Sequence, residues 1–150
     1  MILITDNSII CPFEINAELM STSMRITSDY SNLELKYRAI FDWMENNFEY
    51  ELLSRKDKYK TSLETFYSRS GNCAELSFLY IVLARSSSLE SKFVLVDKDC
   101  NEENVCHACA TAGLVFVDPA YHCYDVRHSK YRIVDDCEAS KIFQDLNRNS

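Results

Sequence analysis

The sequence predicts an α+β domain, with helices in its N-terminal half, a buried central helix, and a small antiparallel sheet in its C-terminal half. Three observations support this. Apolar residues recur at helical spacing behind Ser31, a nearly unbroken apolar stretch runs from Ala74 to Ala84, and short β-branched and aromatic runs alternate with polar turns after residue 92. Helices first and strands afterwards are the pattern of an α+β layer rather than of alternating β-α-β units.

The elements follow in chain order. Short apolar runs at Ile2–Ile4 and Ile9–Phe13 suggest a strand or extended arm, followed by a small helix near Ile15–Met20. Ser31-Asn32-Leu33-Glu34 reads as a capping box, and behind it Leu33, Tyr37, Ile40, Phe41, Met44 and Phe48 form an amphipathic stripe that, with Trp43, belongs to the core. Asn46 to Lys60 reads as a loop whose basic run, Arg55, Lys56, Lys58 and Lys60, is solvated. Thr61–Ser68 makes one or two helical turns. Ala74–Ala84 is broken only by Glu75, Ser77 and Tyr80, so as a helix it is apolar all round and lies inside the protein. A buried strand is the alternative, but the length of the stretch and its Ala, Leu and Glu favour helix. Ser86-Ser87-Ser88 ends it. Strands are expected at Phe93–Val96, Val105–Ala112, Leu114–Val117 and Arg132–Val134, and Glu138–Leu146 forms a last helix that packs back through Ile142, Phe143 and Leu146.

Composition narrows the function. The 150 residues suit one domain, 1–150, and two Gly and two Pro leave no linker or low-complexity segment. A formal charge of −7 argues against a nucleic-acid partner, and no stretch approaches the length of a membrane span. The odd count of seven cysteines, with no secretory signal in MILITDNSII, points to reduced thiols in a cytoplasmic setting. Oligomeric state is not written in the sequence.

One cysteine stands apart. In SRSGNCAELSFLYIVLAR, Asn72 is an N-cap type and Glu75 can reach back to the cap amide, which places Cys73 at the first position of the buried helix. Unpaired N–H groups and the positive end of the helix dipole there favour a thiolate. The stretch alone fits a nucleophile or a buried structural thiol equally well.

The segment Val105–Asp118 supplies the other groups. A two-residue turn at Ala112-Gly113 would pair Thr111 with Leu114, Cys109 with Phe116, and His107 with Asp118. The imidazole and the carboxylate would then be direct cross-strand neighbours, and Cys73, His107 and Asp118 could act as nucleophile, base and orienting acid.

These residues resemble the transglutaminase-like superfamily, which includes microbial cysteine peptidases and protein-crosslinking transglutaminases. SRSGNCAELSFLYIVLAR is similar to its R-x-G-x-C helix, CHACATA to its H-A-x strand, and LVFVDPA to its strand ending in Asp-Pro or Asp-Thr. FDWMENNFEY resembles the upstream amphipathic helix, so the likeness runs from Leu33 to Val134. It implies a papain-like α+β fold, a Cys-His-Asp triad of Cys73, His107 and Asp118, no cofactor or metal, and a peptide or protein substrate. Tyr67, which stands where papain-like enzymes carry an oxyanion donor, and Asn72 are the oxyanion or cleft candidates, beside the Cys73 amide. Cys109 replaces the Trp that often follows the histidine, and Ser88 and Glu90 replace a common Gly and Pro. The implied chemistry is acyl transfer through a thioester, as a cysteine peptidase or amidase. A protein-glutamine transglutaminase and a non-catalytic binding module are the alternatives.

A different chemistry competes. Cys106, Cys109, His122 and His128 fit C-x2-C-x12-H-x5-H, the spacing of a zinc finger. Against it, Cys106 and Cys109 face opposite sides of a regular strand, and no basic helix is present to meet DNA.

Overall fold

A computed structural model describes residues 11–52 and 58–148. The expected N-terminal runs Ile2–Ile4 and Ile9–Ile10, and Arg55 and Lys56 of the basic run, lie outside the described residues. Five helices and seven strands are seen among the described residues: α1 Ala17–Thr27, α2 Leu33–Asn47, β1 Glu49–Tyr50, α3 Ser62–Ser68, β2 Ser70–Gly71, α4 Cys73–Ser86, β3 Phe93–Lys98, β4 Asn104–Ala112, β5 Val115–Asp118, β6 Cys123–Tyr124, β7 Lys130–Val134 and α5 Asp136–Arg148. The sheet is antiparallel in the order β6-β5-β4-β3-β7.

Helix α4 is the axis of the core. Every residue from Ala74 to Ala84 is buried, as an all-round apolar helix requires. It lies on the sheet face formed by Phe93, Ala108, Ala110, Ala112, Val117 and Val134. The three alanines of β4 leave room for close approach of the helix, and Phe78 stacks on Phe93 with ring centroids 4.6 Å apart. On the opposite face Val94, Val96 and Cys109 form a smaller cluster with Val105 and Phe116.

Several boundaries differ from expectation. Helix α1 runs to Thr27 because Asn16 caps it and Leu19, Thr22, Ser23 and Thr27 bury one side. The N-cap of α2 is Asn32, whose side chain accepts from the Leu35 amide, so the expected Ser31–Glu34 box is displaced by one residue. Tyr37, Ile40, Phe41 and Met44 are buried as expected, but Leu33 is exposed. The expected loop after α2 contains β1, which pairs in parallel with β2 immediately before Cys73. Lys60 is not simply solvated: its Nζ donates to Ser70 O at 2.6 Å and Ser68 Oγ at 2.9 Å, bracing the turn that leads to Cys73.

The β4–β5 hairpin also differs. The observed pairs are Ala110–Val117, Thr111–Phe116 and Ala112–Val115, so the turn is Gly113-Leu114 rather than Ala112-Gly113. Gly113 takes φ +66° at the first loop position, where a II′ turn calls for glycine. His107 and Asp118 are therefore not directly opposed. Continuing the register sets Asp118 opposite Cys109, which makes His107 its diagonal neighbour on the same face.

Candidate active site

The head of α4 is built by local rules. Asn72 Oδ1 accepts from the Glu75 amide and Glu75 Oε1 accepts from the Asn72 amide, both at 2.9 Å, closing a reciprocal capping box around Cys73. Glu75 is 2% exposed, and its second oxygen accepts from the Lys60 amide at 2.6 Å. One buried carboxylate thus ties the cysteine turn to the preceding loop. Gly71 is required by close approach: a Cβ there would lie 3.0 Å from Glu75 Cβ and 3.2 Å from Thr65 Cγ2. Arg69 ends α3 in the left-handed region, and its guanidinium lies 4.9 to 5.2 Å from the ring centroids of Phe66, Phe48 and Trp43. The Arg and Gly before the cysteine therefore shape its turn. Cys73 itself is partly exposed.

His107, on β4, meets Asp118, at the end of β5, with Nε2 to Oδ2 at 2.7 Å. Its side chain is 8% exposed and that of Asp118 is fully buried. Burial disfavours the imidazolium, but the hydrogen bond to Asp118 and the interaction with Cys73 outweigh it and push His107 up from 6.5 to about 9. With Nε2 committed to the carboxylate, Nδ1 is the nitrogen left to exchange a proton with sulfur. The diagonal placement suffices because diagonal cross-strand neighbours remain within reach of long side chains.

Two further residues complete the surroundings, and sequence reasoning had given neither a place in this site. Tyr121 stacks on His107 with ring centroids 4.4 Å apart and a 27° tilt, its amide donates to Asp118 Oδ1 at 3.0 Å, and its hydroxyl donates to Asp99 Oδ2 at 2.8 Å. The signal was present in Asp118-Pro-Ala-Tyr121, since an Asp ahead of Pro commonly accepts from an amide a few residues on. His128 also places Nε2 2.7 Å from Asp118 Oδ2 and is buried. Nothing local signals that contact, because the nine residues between the two hold irregular turns and the short strand β6, with no repeating pattern.

The oxyanion and zinc expectations need correction. The single proton of the Tyr67 hydroxyl goes to Glu18 Oε2 at 2.6 Å, and the same oxygen accepts from Asn16 Nδ2, so Tyr67 anchors α1 and has no donor to offer an oxyanion. Asn72 uses its side-chain oxygen in the cap. Among the described residues none accepts from the Cys73 amide, which leaves that donor free. The zinc pattern does not converge. Cys106 is exposed, Cys109 is buried on the second sheet face, His122 is paired with Glu45 at 2.7 Å, and His128 is bound to Asp118. Burial also pushes the Cys109 thiol up, making it an inert core group.

The profile of the transglutaminase-like superfamily matches residues 21–132. The chain belongs to that superfamily. Among solved structures it is similar to a putative cysteine protease from Cytophaga hutchinsonii, at 21% identity and a TM-score of 0.60, over 77% of this chain and 42% of that one. It is also similar to a putative protease from Parabacteroides distasonis ATCC 8503, at 13% identity and a TM-score of 0.56, over 75% of this chain and 28% of that one. At these identities the likeness is one of fold, and this chain spans less than half of either protein. A search of curated proteins gives no match. The papain-like α+β fold expected for the superfamily is the fold observed. Among the described residues no helix is long and apolar enough to cross a membrane.

Proposed function

We propose that the chain performs cysteine-nucleophile acyl transfer on an amide bond, as a peptidase or amidase acting on peptide or protein substrates. The observation that carries this reading is the placement of His107, bound to a buried carboxylate through one nitrogen and interacting with Cys73. Superfamily membership and the names of the two structural neighbours support it.

In this reading His107 first takes the proton of the Cys73 thiol at Nδ1. The sulfur attacks the carbonyl carbon, and the oxyanion is met by the free Cys73 N–H at the helix head. His107 gives its Nδ1 proton to the leaving amine as the C–N bond breaks, which leaves a thioester. Water then attacks with His107 as base, the C–S bond breaks, and the carboxylic acid departs. Asp118 holds the ring so that the same nitrogen serves both steps. Tyr121, lying flat on the ring, restricts its rotation and shields the Asp118 bond from water.

A peptide-library hydrolysis assay with mass-spectrometric detection tests the proposal. Cleavage by the wild type that is abolished in Cys73→Ala and in His107→Ala is the expected result. Ordinary free-thiol reactivity at Cys73, together with no turnover of any library member, would point to a non-catalytic binding module instead.

A further inference from the structure

Asp118 Oδ2 receives two imidazoles. His107 Nε2 and His128 Nε2 each lie 2.7 Å from it, and the two rings meet edge to face with centroids 5.6 Å apart. Two ring nitrogens and a carboxylate oxygen within 4.8 Å of one another have the outline of a metal site. The other nitrogen of His128 decides against that. His128 Nδ1 lies 3.0 Å from the Cys100 amide nitrogen, and an amide N–H can only donate, so Nδ1 carries a lone pair. The proton of a neutral ring then sits on Nε2 and points at Asp118, where a metal ion would need a lone pair instead.

We propose that His128 is a positioning residue for His107, a neutral Nε2–H donor that shares the Asp118 oxygen on which His107 depends. The proposal rests on the Cys73–His107–Asp118 reading and deepens it. Asp118 then accepts three N–H groups, from His107, His128 and the Tyr121 amide, which satisfy a fully buried carboxylate. Sharing one oxygen weakens its hold on the His107 proton, so His128 limits how basic His107 becomes. It also fixes the carboxylate plane, since Oδ1 is held by Tyr121 and Oδ2 by a ring that is itself anchored to the β3–β4 loop through Cys100. That loop is tied back by Asp99, which accepts from the Asn101 and Glu103 amides and from the Tyr121 hydroxyl.

The charged and titratable groups around His107 are few enough for the effect to be read. Cys73 faces it from α4, Asp118 from β5, Tyr121 from the β5–β6 connection and His128 from the β6–β7 connection. Asp99 acts on His128 and Tyr121 from the β3–β4 loop, and Tyr50 and Tyr59 interact electrostatically with Cys73. His128 is the member of this set that binds the same oxygen as His107.

Two measurements on the full chain test the proposal. Long-range proton–nitrogen spectra of the imidazoles, recorded at about pH 8, should show His128 as the Nε2–H tautomer. A proton on Nδ1, or added zinc ligated through His128 Nε2, would overturn the assignment. The second measurement is the pH profile of Cys73 alkylation by iodoacetate, whose descending limb reports loss of the His107 charge. In His128→Leu that limb should move up by about 0.5 pH unit or more, because the carboxylate then serves His107 alone. In His128→Gln, which retains a donor, it should stay near the wild-type position. An unmoved limb in folded His128→Leu would reduce His128 to a structural residue and refute the proposal. If the Leu variant does not fold, the spectra decide the matter. Failure of the underlying triad would look different, with Cys73 in the wild type labelling as an ordinary thiol whatever the tautomer of His128.

Discussion

Replacing Asp118 by Asn tests whether the buried carboxylate is what makes His107 basic. His107 stands at about 9 against an ordinary 6.5. At 1.36 kcal/mol per unit this is an imidazolium preference of about 3 kcal/mol, or about 300-fold in the protonated-to-neutral ratio. Burial opposes it, so the hydrogen bond to Asp118 and the interaction with Cys73 supply more than the net amount. Asn keeps the shape and one acceptor oxygen but loses the charge, and its NH2 group is turned toward N–H donors. At pH 8 the wild-type ring is about 90% charged, whereas a ring returned to its ordinary value would be about 3% charged. Cys73 still favours the imidazolium, so the variant lies between these limits. The assay is Cys73 alkylation by iodoacetate, an anion drawn to the His107 imidazolium. We expect the descending limb to fall from about pH 9 by one unit or more, with a rate at pH 8 slower by roughly twofold for one unit and roughly tenfold for two. Circular dichroism of the same sample establishes that the fold is kept. A limb that stays near pH 9 in folded Asp118→Asn would refute the claim that Asp118 sets the basicity of His107.

Three further outcomes follow from the same contacts. Because folding raises the pKa of His107, its contribution to stability is complete below pH 6.5 and is lost as pH rises through about 9, so the urea-unfolding difference between wild type and His107→Gln should shrink over that window from a ceiling of about 3 kcal/mol. A difference that grows with pH would contradict the assignment. Glu75→Ala leaves the buried Asn72 amide and the Lys60 amide without acceptors and should cost about 2 to 4 kcal/mol in urea unfolding, with Glu75→Gln costing less. Gly71→Ala places a methyl 3.0 Å from Glu75 Cβ; a loss of about 1 to 3 kcal/mol and slower Cys73 alkylation are expected, and an unchanged protein would show that the turn has slack.

The β4–β5 hairpin shows why part of the site could be anticipated from an imperfect register. The expected pairing set His107 against Asp118, while the observed one moves each partner by two residues. A shift of two keeps every side chain on its face, whereas a shift of one would have sent the imidazole and the carboxylate to opposite sides. The conclusion that the two meet therefore survived an error in the turn. The tyrosine expectation failed because the spacing of Tyr67 from Cys73 gives no direction to its hydroxyl, which α1 captures through Glu18 and Asn16.

What the sequence alone determined lies within a few residues along the chain. The Asn72–Glu75 box closes over three residues, so the start of α4 and the place of Cys73 at its head were legible, as was the burial of a helix with no polar face. Tertiary structure alone decided the contacts made by residues distant in sequence: the second bond of Glu75 to Lys60, the three rings around Arg69, and His128 on Asp118. A capping box is selected by the geometry of one helical turn, whatever surrounds it. A buried carboxylate takes its partners from whichever segments the packed core brings within hydrogen-bond distance, and here one of those segments is an irregular loop that no periodicity describes.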